Sequence, residues 1–246
     1  FSKDFYVDKV GDDYLCYYAP YLRAENYIAG KLNEINISFH EDLDVNKKIE
    51  EIEETRNIKL ANGQRQAIKK SLDHGVFLIT GGPGTGKTTA LKALIDVYEF
   101  MGKKIKLAAP TGRAAKRMKE STGHDAKDIY YDPIDLECDV LIVDEMSMVD
   151  IMLMETLLRS LEKGVRLILV GDPDQLPSVG AGNVLRDIID SKLFSQVNLV
   201  EIFRQKEESM IIKNAHLINK GERPILNNND FFLISEQGEN KGLEII

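Results

Sequence analysis

The chain has 246 residues, 43% hydrophobic and 29% charged, with a formal net charge of −8. That length suits one large domain, or one domain with a small appendage, and the apolar content suffices for a packed core. No apolar run approaches the ~20 residues needed to span a bilayer, Cys16 and Cys138 stand too far apart in sequence to suggest a metal or disulfide framework, and the acidic balance argues against a uniformly basic nucleic-acid coat.

No signal-peptide pattern is present, so a reducing cytoplasm is the expected compartment, with no membrane partner. The charge is uneven. From Met101 to Lys119 there are seven basic residues and no acidic one, whereas acids gather between Glu41 and Glu54. A basic face on an acidic protein remains compatible with strand binding. The chain opens at Phe1 without an initiator Met and ends in an apolar segment at Ile246, which reads as an excised fragment of a longer protein.

In chain order, Phe5-Tyr6-Val7 and Tyr14-Leu15-Cys16-Tyr17-Tyr18 flank Gly11-Asp12-Asp13, a β-hairpin pattern. Tyr21 to Ile37 has helical periodicity, and the tyrosines around it are expected to pack the hairpin on that helix rather than stack bases. His40 to Asp44 reads as a polar linker, and Asn46 to Arg56 as a charged, solvated helix. Another helix begins near Leu60. It carries Gln64, whose planar amide can match the N6/N7 edge of adenine; Gln66 is the lesser candidate.

Val76-Phe77-Leu78-Ile79 reads as a buried strand and Ala90 to Ile95 as a helix. Between them, Gly81-Gly82-Pro83-Gly84-Thr85-Gly86-Lys87-Thr88-Thr89 contains the spacing G-x-x-x-x-G-K-T. Glycines let successive N–H groups surround phosphate oxygens, and the helix N-terminus adds positive potential. This is a nucleoside-triphosphate loop, with Gly82 to Thr89 as the cradle. Lys87 is expected on the β- and γ-phosphates and the Thr88 hydroxyl on Mg²⁺.

A second strand, Lys104 to Ala109, runs into Pro110-Thr111-Gly112-Arg113 and a basic helix. Thr111 and Arg113 place hydroxyl and guanidinium donors at a sheet edge, suited to a nucleic-acid backbone. A turn follows at Ser121 to His124. Asp139 to Val143 is apolar enough to be buried on both faces and ends in Asp144 and Glu145. Asp144 is expected to hold Mg²⁺, and Glu145 to activate the attacking water. Alternation along the strand would send the two carboxylates to opposite sides. The strand Arg166 to Val170 leads to Gly171-Asp172-Pro173-Asp174-Gln175. There Gln175 can sense a γ-phosphate, and the two aspartates are turn-formers. After a strand at Val197 to Val200, Arg204 is placed to clamp a γ-phosphate. Ser209 to Lys220 is a helix with a structural His216, and Phe231 to Ile234 a further strand.

Together, Gln64, GGPGTGKTT (81–89), APTGRAAKRM (109–118), VLIVDEMSMVD (140–150), VGDPDQLPSVGAGNVL (170–185) and EIFRQ (201–205) resemble, in their order, superfamily 1 DNA helicases. Within them the chain is most similar to the RecD-like group, which includes the alpha subunit of exodeoxyribonuclease V, over about residues 58–222. The resemblance implies an α/β, RecA-like P-loop domain with a central, mostly parallel sheet flanked by helices, over 58–246. A small hairpin-and-helix accessory region would occupy 1–57. It implies ATP and Mg²⁺ as cofactors, single-stranded or duplex DNA as partner, and DNA-stimulated hydrolysis driving 5′ to 3′ translocation in recombination and repair. By carry-over, Gln64 reads adenine, Lys87, Thr88, Asp144 and Glu145 form the hydrolytic centre, Gln175 couples it to DNA, Arg204 meets the γ-phosphate, and Thr111, Gly112 and Arg113 lie against the strand.

The family continues into a second RecA-like domain that supplies another arginine, and this sequence stops short of it. The chain alone is therefore expected to bind nucleotide, hydrolyse it slowly and not unwind DNA. No acidic cluster beyond Asp144 and Glu145 suggests a nuclease. Two other classes remain open: a nucleotide-gated binding subunit of a nuclease–helicase complex, and a P-loop kinase or small-molecule ATPase, which the basic stretch and Gln64 disfavour.

Overall fold

The computed structural model describes residues 4–130, 137–201, 209–226 and 230–232. It divides into two units, Phe1–Glu201 and Ile202–Ile246. In the first, an antiparallel hairpin pairs β1 (Phe5–Val10) with β2 (Asp13–Tyr18), and Gly11 takes the turn at φ 65°. The hairpin meets helix α1 (Ala19–Ile35) through the edge-on rings of Tyr18 and Tyr21, 5.3 Å apart, as the tyrosine-rich sequence suggests. Pro20, in the first turn of α1, has no N–H to leave unpaired there. Helices α2 (Val45–Arg56) and α3 (Asn62–Ser71) follow. Although α2 is highly charged, it buries Ile49 and Ile52.

The centre is a six-stranded, wholly parallel sheet. Its strands are β3 (Val76–Gly81), β4 (Ile105–Ala109), β5 (Ala126–Asp128), β6 (Val140–Val143), β7 (Arg166–Gly171) and β8 (Ser195–Leu199), in the spatial order β5-β4-β6-β7-β3-β8. The short edge strand β5 was not expected from sequence; three residues, two of them charged, carry no apolar pattern to betray it. Helices α4 (Lys87–Phe100), α5 (Gly112–Thr122), α6 (Ile151–Arg159) and α7 (Val184–Ser191) connect the strands.

Period-two alternation sorts the core into two layers. Val76, Leu78, Leu141, Val143, Leu167 and Leu169 face α1, α6 and α7. Phe77, Ile79, Val140, Ile142, Ile168 and Val170 face α2, α3 and α4. The helix after β3 therefore leaves to one face, and those after β6 and β7 to the other. Such a divergence opens a crevice at the carboxyl ends of the strands, where open α/β sheets bind ligands.

The opposite sheet edge is closed by a charge. Arg166, the first residue of β7, is 1% exposed. Its guanidinium donates to Glu41 and lies 3.8 Å from the Phe39 ring centroid. Glu41 also meets Lys103 at 3.4 Å. The polar linker expected at His40–Asp44 is thus fastened to the base of the sheet.

The second unit contains α8 (Met210–Asn219). Asn214, fully buried, donates to the Ile225 carbonyl at 2.8 Å and accepts from its N–H at 2.7 Å. Asp230 accepts from Met210 N at 2.7 Å and from the Ser209 hydroxyl at 2.7 Å. Of the strand expected at Phe231 to Ile234, Leu233 and Ile234 lie outside the described residues.

The Arg166–Glu41 pair yields a stability prediction. Glu41→Ala leaves a buried guanidinium without its carboxylate and should cost about 3 kcal/mol, read as a lowered urea midpoint. Combining Arg166→Met with Glu41→Leu should recover most of that loss. A Glu41→Ala chain within ~0.5 kcal/mol of the original, the usual surface range, would contradict the assignment.

Candidate nucleotide and strand site

The loop between β3 and α4 has the geometry its glycines suggest. Gly86, at φ 80° immediately before α4, occupies a left-handed position that a side chain resists. The Thr85 hydroxyl donates to the Gly82 carbonyl at 2.9 Å and closes the turn. Lys87 Nζ donates to the carbonyls of Gly81 and Gly82. The ammonium is thus folded onto the loop, where incoming phosphate oxygens would compete for it. Pro83 and Thr88 are exposed and Thr89 is half-buried, at the mouth of the loop and on the first turn of α4.

Gln64 sits directly behind the loop and is 1% exposed. Its Nε2 donates to the Gly86 carbonyl at 3.0 Å, and its Oε1 accepts from Ala61 N at 2.9 Å. One amide hydrogen and one lone pair remain for a ligand. A cavity of about 210 Å³ opens beside it, lined in part by Asn62, Gln66, Thr85, Asn198 and Glu201. Gln66 is exposed on this wall.

Across the crevice, the acidic pair departs from the sequence reading in one respect. Strand β6 ends at Val143, so Asp144 and Glu145 lie beyond it and strand alternation does not set their directions. Instead Glu145 adopts φ 56°, ψ 41°, a left-handed conformation. That conformation costs an ordinary residue on the order of 1 kcal/mol. The strain is held by neighbours: Asp144 N donates to the Ala108 carbonyl at 3.0 Å, and Asp144 Oδ1 accepts from Glu145 N at 2.8 Å. Burial pushes the Asp144 carboxyl up to about 6, and the neighbouring Glu145 charge adds to this. The Glu145 N–H bond and the Lys87 ammonium oppose the rise. The phosphate loop and the acidic pair therefore share one electrostatic site.

Among the described residues no cluster of three His, Cys, Asp or Glu side chains could by itself hold a metal. Mg²⁺ does not require one. It takes one or two protein oxygens and completes its shell with phosphates and water. An exposed Thr88 hydroxyl and a half-buried, poorly solvated carboxylate that favours a cation fit that donor set.

Two further loops border the crevice. Thr111 caps α5, its Oγ1 accepting from Ala114 N at 3.2 Å, with Gly112 and Arg113 exposed beside it. This N-cap role leaves Gly112 and Arg113 open to a ligand at the same edge. After β7, Asp172 Oδ1 accepts from Asp174 N at 3.0 Å, the expected turn-forming role. Gln175 is exposed, and its Oε1 accepts from the Ser147 hydroxyl at 3.2 Å. Ser147 was not singled out from sequence. The available signal was a lone hydroxyl in the apolar run Met146–Val149. His124 Nδ1 lies 3.6 Å from Glu99 on α4, while Arg204 lies outside the described residues.

A family model described as an AAA domain (AAA_30) matches residues 59–237. The chain belongs to this AAA domain family. It is RecD-like: it is 38% identical over 177 residues to the ATP-dependent RecD2 DNA helicase of Deinococcus radiodurans, covering 67% of this chain and 24% of that protein. It is 30% identical over 244 residues to the RecBCD enzyme subunit RecD of Buchnera aphidicola (strain APS), covering 80% of this chain and 39% of that one. This AAA domain chain thus spans well under half the length of these relatives. Among solved structures, the Pif1 helicase of Candida albicans aligns with a TM-score of 0.52 at 27% identity, over 68% of this chain and 45% of that one. The RecA-like, P-loop architecture implied by the motifs is the architecture found, and the domain is a nucleotide-binding one. Among the described residues no helix is long and apolar enough to cross a membrane.

The half-buried Asp144 gives a pH-dependent prediction. Its folded pKa, about 6, lies above the ~3.9 of an unfolded Asp. The folded state therefore binds more protons between these values, and the group lowers stability as pH rises through them. Asp144→Asn should stabilise the nucleotide-free chain by on the order of 1 kcal/mol at pH 7.5, and by much less at pH 4.5, in thermal melts. A mutant less stable than the original at pH 7.5 contradicts the assignment.

Proposed function

We propose that this chain is the first motor domain of a DNA helicase, coupling Mg²⁺-dependent ATP hydrolysis to movement along single-stranded DNA in repair and recombination. The observation that carries the reading is the joined site: the half-buried Asp144 stands across from the phosphate loop, and the turn that follows it touches Gln175 through Ser147. A bare nucleotide-binding module needs neither a strained carboxylate nor a link to the next loop. The RecD-like motifs suggest 5′ to 3′ polarity. Residues 58–246 would form the motor and 1–57 an accessory region, of which α1 lies against the motor sheet. Two separated cysteines and the absence of an apolar span are consistent with work in the cytoplasm.

The proposed roles are as follows. The loop N–H groups and Lys87 bind the phosphates, and Gln64 reads the adenine while touching Gly86. Thr88 and Asp144 would hold Mg²⁺, which supplies charge neutralisation on the phosphates when bound. Glu145 accepts a proton from the attacking water. Gln175 senses the γ-phosphate, and Arg204, assigned by its motif, stabilises charge there. Thr111, Gly112 and Arg113 contact the DNA backbone, with Lys116 and Arg117 exposed on the same helix.

One relative is named as a subunit of the RecBCD enzyme. That name favours, as a second reading, a nucleotide-gated subunit of a helicase–nuclease complex that binds DNA or protein without unwinding by itself.

The test is the ATPase rate of the full-length protein carrying this chain, with and without oligo-dT. Strong stimulation by DNA is expected. Glu145→Gln should lower the stimulated rate by about 10² to 10⁴ while retaining ATP binding. Stimulated turnover unaffected by Glu145→Gln would favour the subunit reading, and a rate indifferent to DNA would favour a small-molecule ATPase.

A further inference from the structure

The turn that follows the acidic pair is built more tightly than a connection requires. Met146 to Met148 form one turn of 3-10 helix, closed by Met148 N donating to the Glu145 carbonyl at 3.0 Å and Val149 N to the Met146 carbonyl at 3.1 Å. Met146 is fully buried and packs against the end of β7. There Gly171 admits it: a Cβ at Gly171 would lie 3.1 Å from Met146 Cβ and 2.8 Å from Leu185 Cδ2. The turn after β6 is thereby fixed in place beside the loop after β7. Ser147 is 7% exposed and lies next to Met146 in that turn, so its hydroxyl has little freedom of location.

That hydroxyl donates to Gln175 Oε1 at 3.2 Å. Gln175 itself is exposed, and its backbone N donates to the Asp172 carbonyl at 3.2 Å. A glutamine amide is two-faced, with an acceptor oxygen and a donor NH₂ that exchange places when the group flips. A donor engaging the oxygen chooses between the two states. With Oε1 held by Ser147, the Nε2 hydrogens are the end left to meet an anion. An unanchored exposed glutamine would sample both orientations and many rotamers, and ordering it would cost entropy at each turnover.

We propose that Ser147 is a positioning residue for hydrolysis: it holds the carboxamide of Gln175 so that the NH₂ end faces the terminal phosphate side of the crevice. The same bond ties the loop after β7 to the turn carrying Glu145. A change at the water-activating carboxylate is then transmitted to Gln175 through one side-chain contact. Ser147 touches neither nucleotide nor water in this scheme and acts only through Gln175. The proposal rests on the ATPase reading above.

The test uses the full-length protein with oligo-dT and compares Ser147→Ala, Gln175→Ala and the double variant. Ser147→Ala should lower the DNA-stimulated kcat about five- to twentyfold, the scale of one directional hydrogen bond, with the KM for ATP within about twofold. In the Gln175→Ala background the same change should have little further effect, since its partner is gone. Thermal melts of each variant establish that the fold is retained. An unchanged kcat in folded Ser147→Ala, or losses that multiply in the double variant, overturns the proposal while leaving the ATPase reading intact. A wild-type protein with no DNA-stimulated ATPase overturns both.

Discussion

The site depends on placing a carboxylate where water cannot fully solvate it. Asp144 stands at the end of a strand whose four residues are all buried, so its charge is unfavourable until a cation approaches. Lys87 supplies part of the compensation from across the crevice. The remaining deficit is what Mg²⁺ and a polyphosphate would satisfy together. This explains why two acidic residues are tolerated beside an apolar core, and why the sheet must bring β3 and β6 to one edge even though β7 separates them.

The sheet achieves this through the opposite departures of its helices. The loop after β3 enters a helix on one face, and the turns after β6 and β7 lead to the other. Ligand-facing backbone is thereby exposed without opening the core. The far edge behaves differently: Arg166 and Glu41 close it with a buried ion pair that has no counterpart in the proposed chemistry. Stability devices sit at one end of the strands and strained or charge-frustrated groups at the other. Glu145, one of three non-glycine residues at positive φ among those described, lies at the functional end.

Much of this was legible in the sequence because particular residues leave few alternatives. Gly86-Lys87-Thr88 between a strand and a helix admits little besides a phosphate loop. The runs Val76–Ile79, Asp139–Val143 and Arg166–Val170 announce buried parallel strands by lacking polar alternation. What was not legible depends on tertiary contact. Strand β5 has no apolar signature and exists only because β4 pairs with it. The left-handed Glu145 contradicts local preference and is imposed by the hydrogen bonds around Asp144. Ser147 and Gln175 are 28 residues apart, and no periodicity links them. Gln64 is legible in the sequence as a candidate adenine reader, but its bond to Gly86, which ties that side chain to the loop, required the fold.

The central claim is that one ligand engages three separate loops of the carboxyl edge together. Hydrogen–deuterium exchange of the full-length protein, with and without a non-hydrolysable MgATP analogue, tests it most directly. The account predicts that residues 81–88, 144–149 and 172–176 gain protection in concert, and that Mg²⁺ is required for the second and third segments. Protection confined to residues 81–88, with the other two segments unchanged, would contradict it.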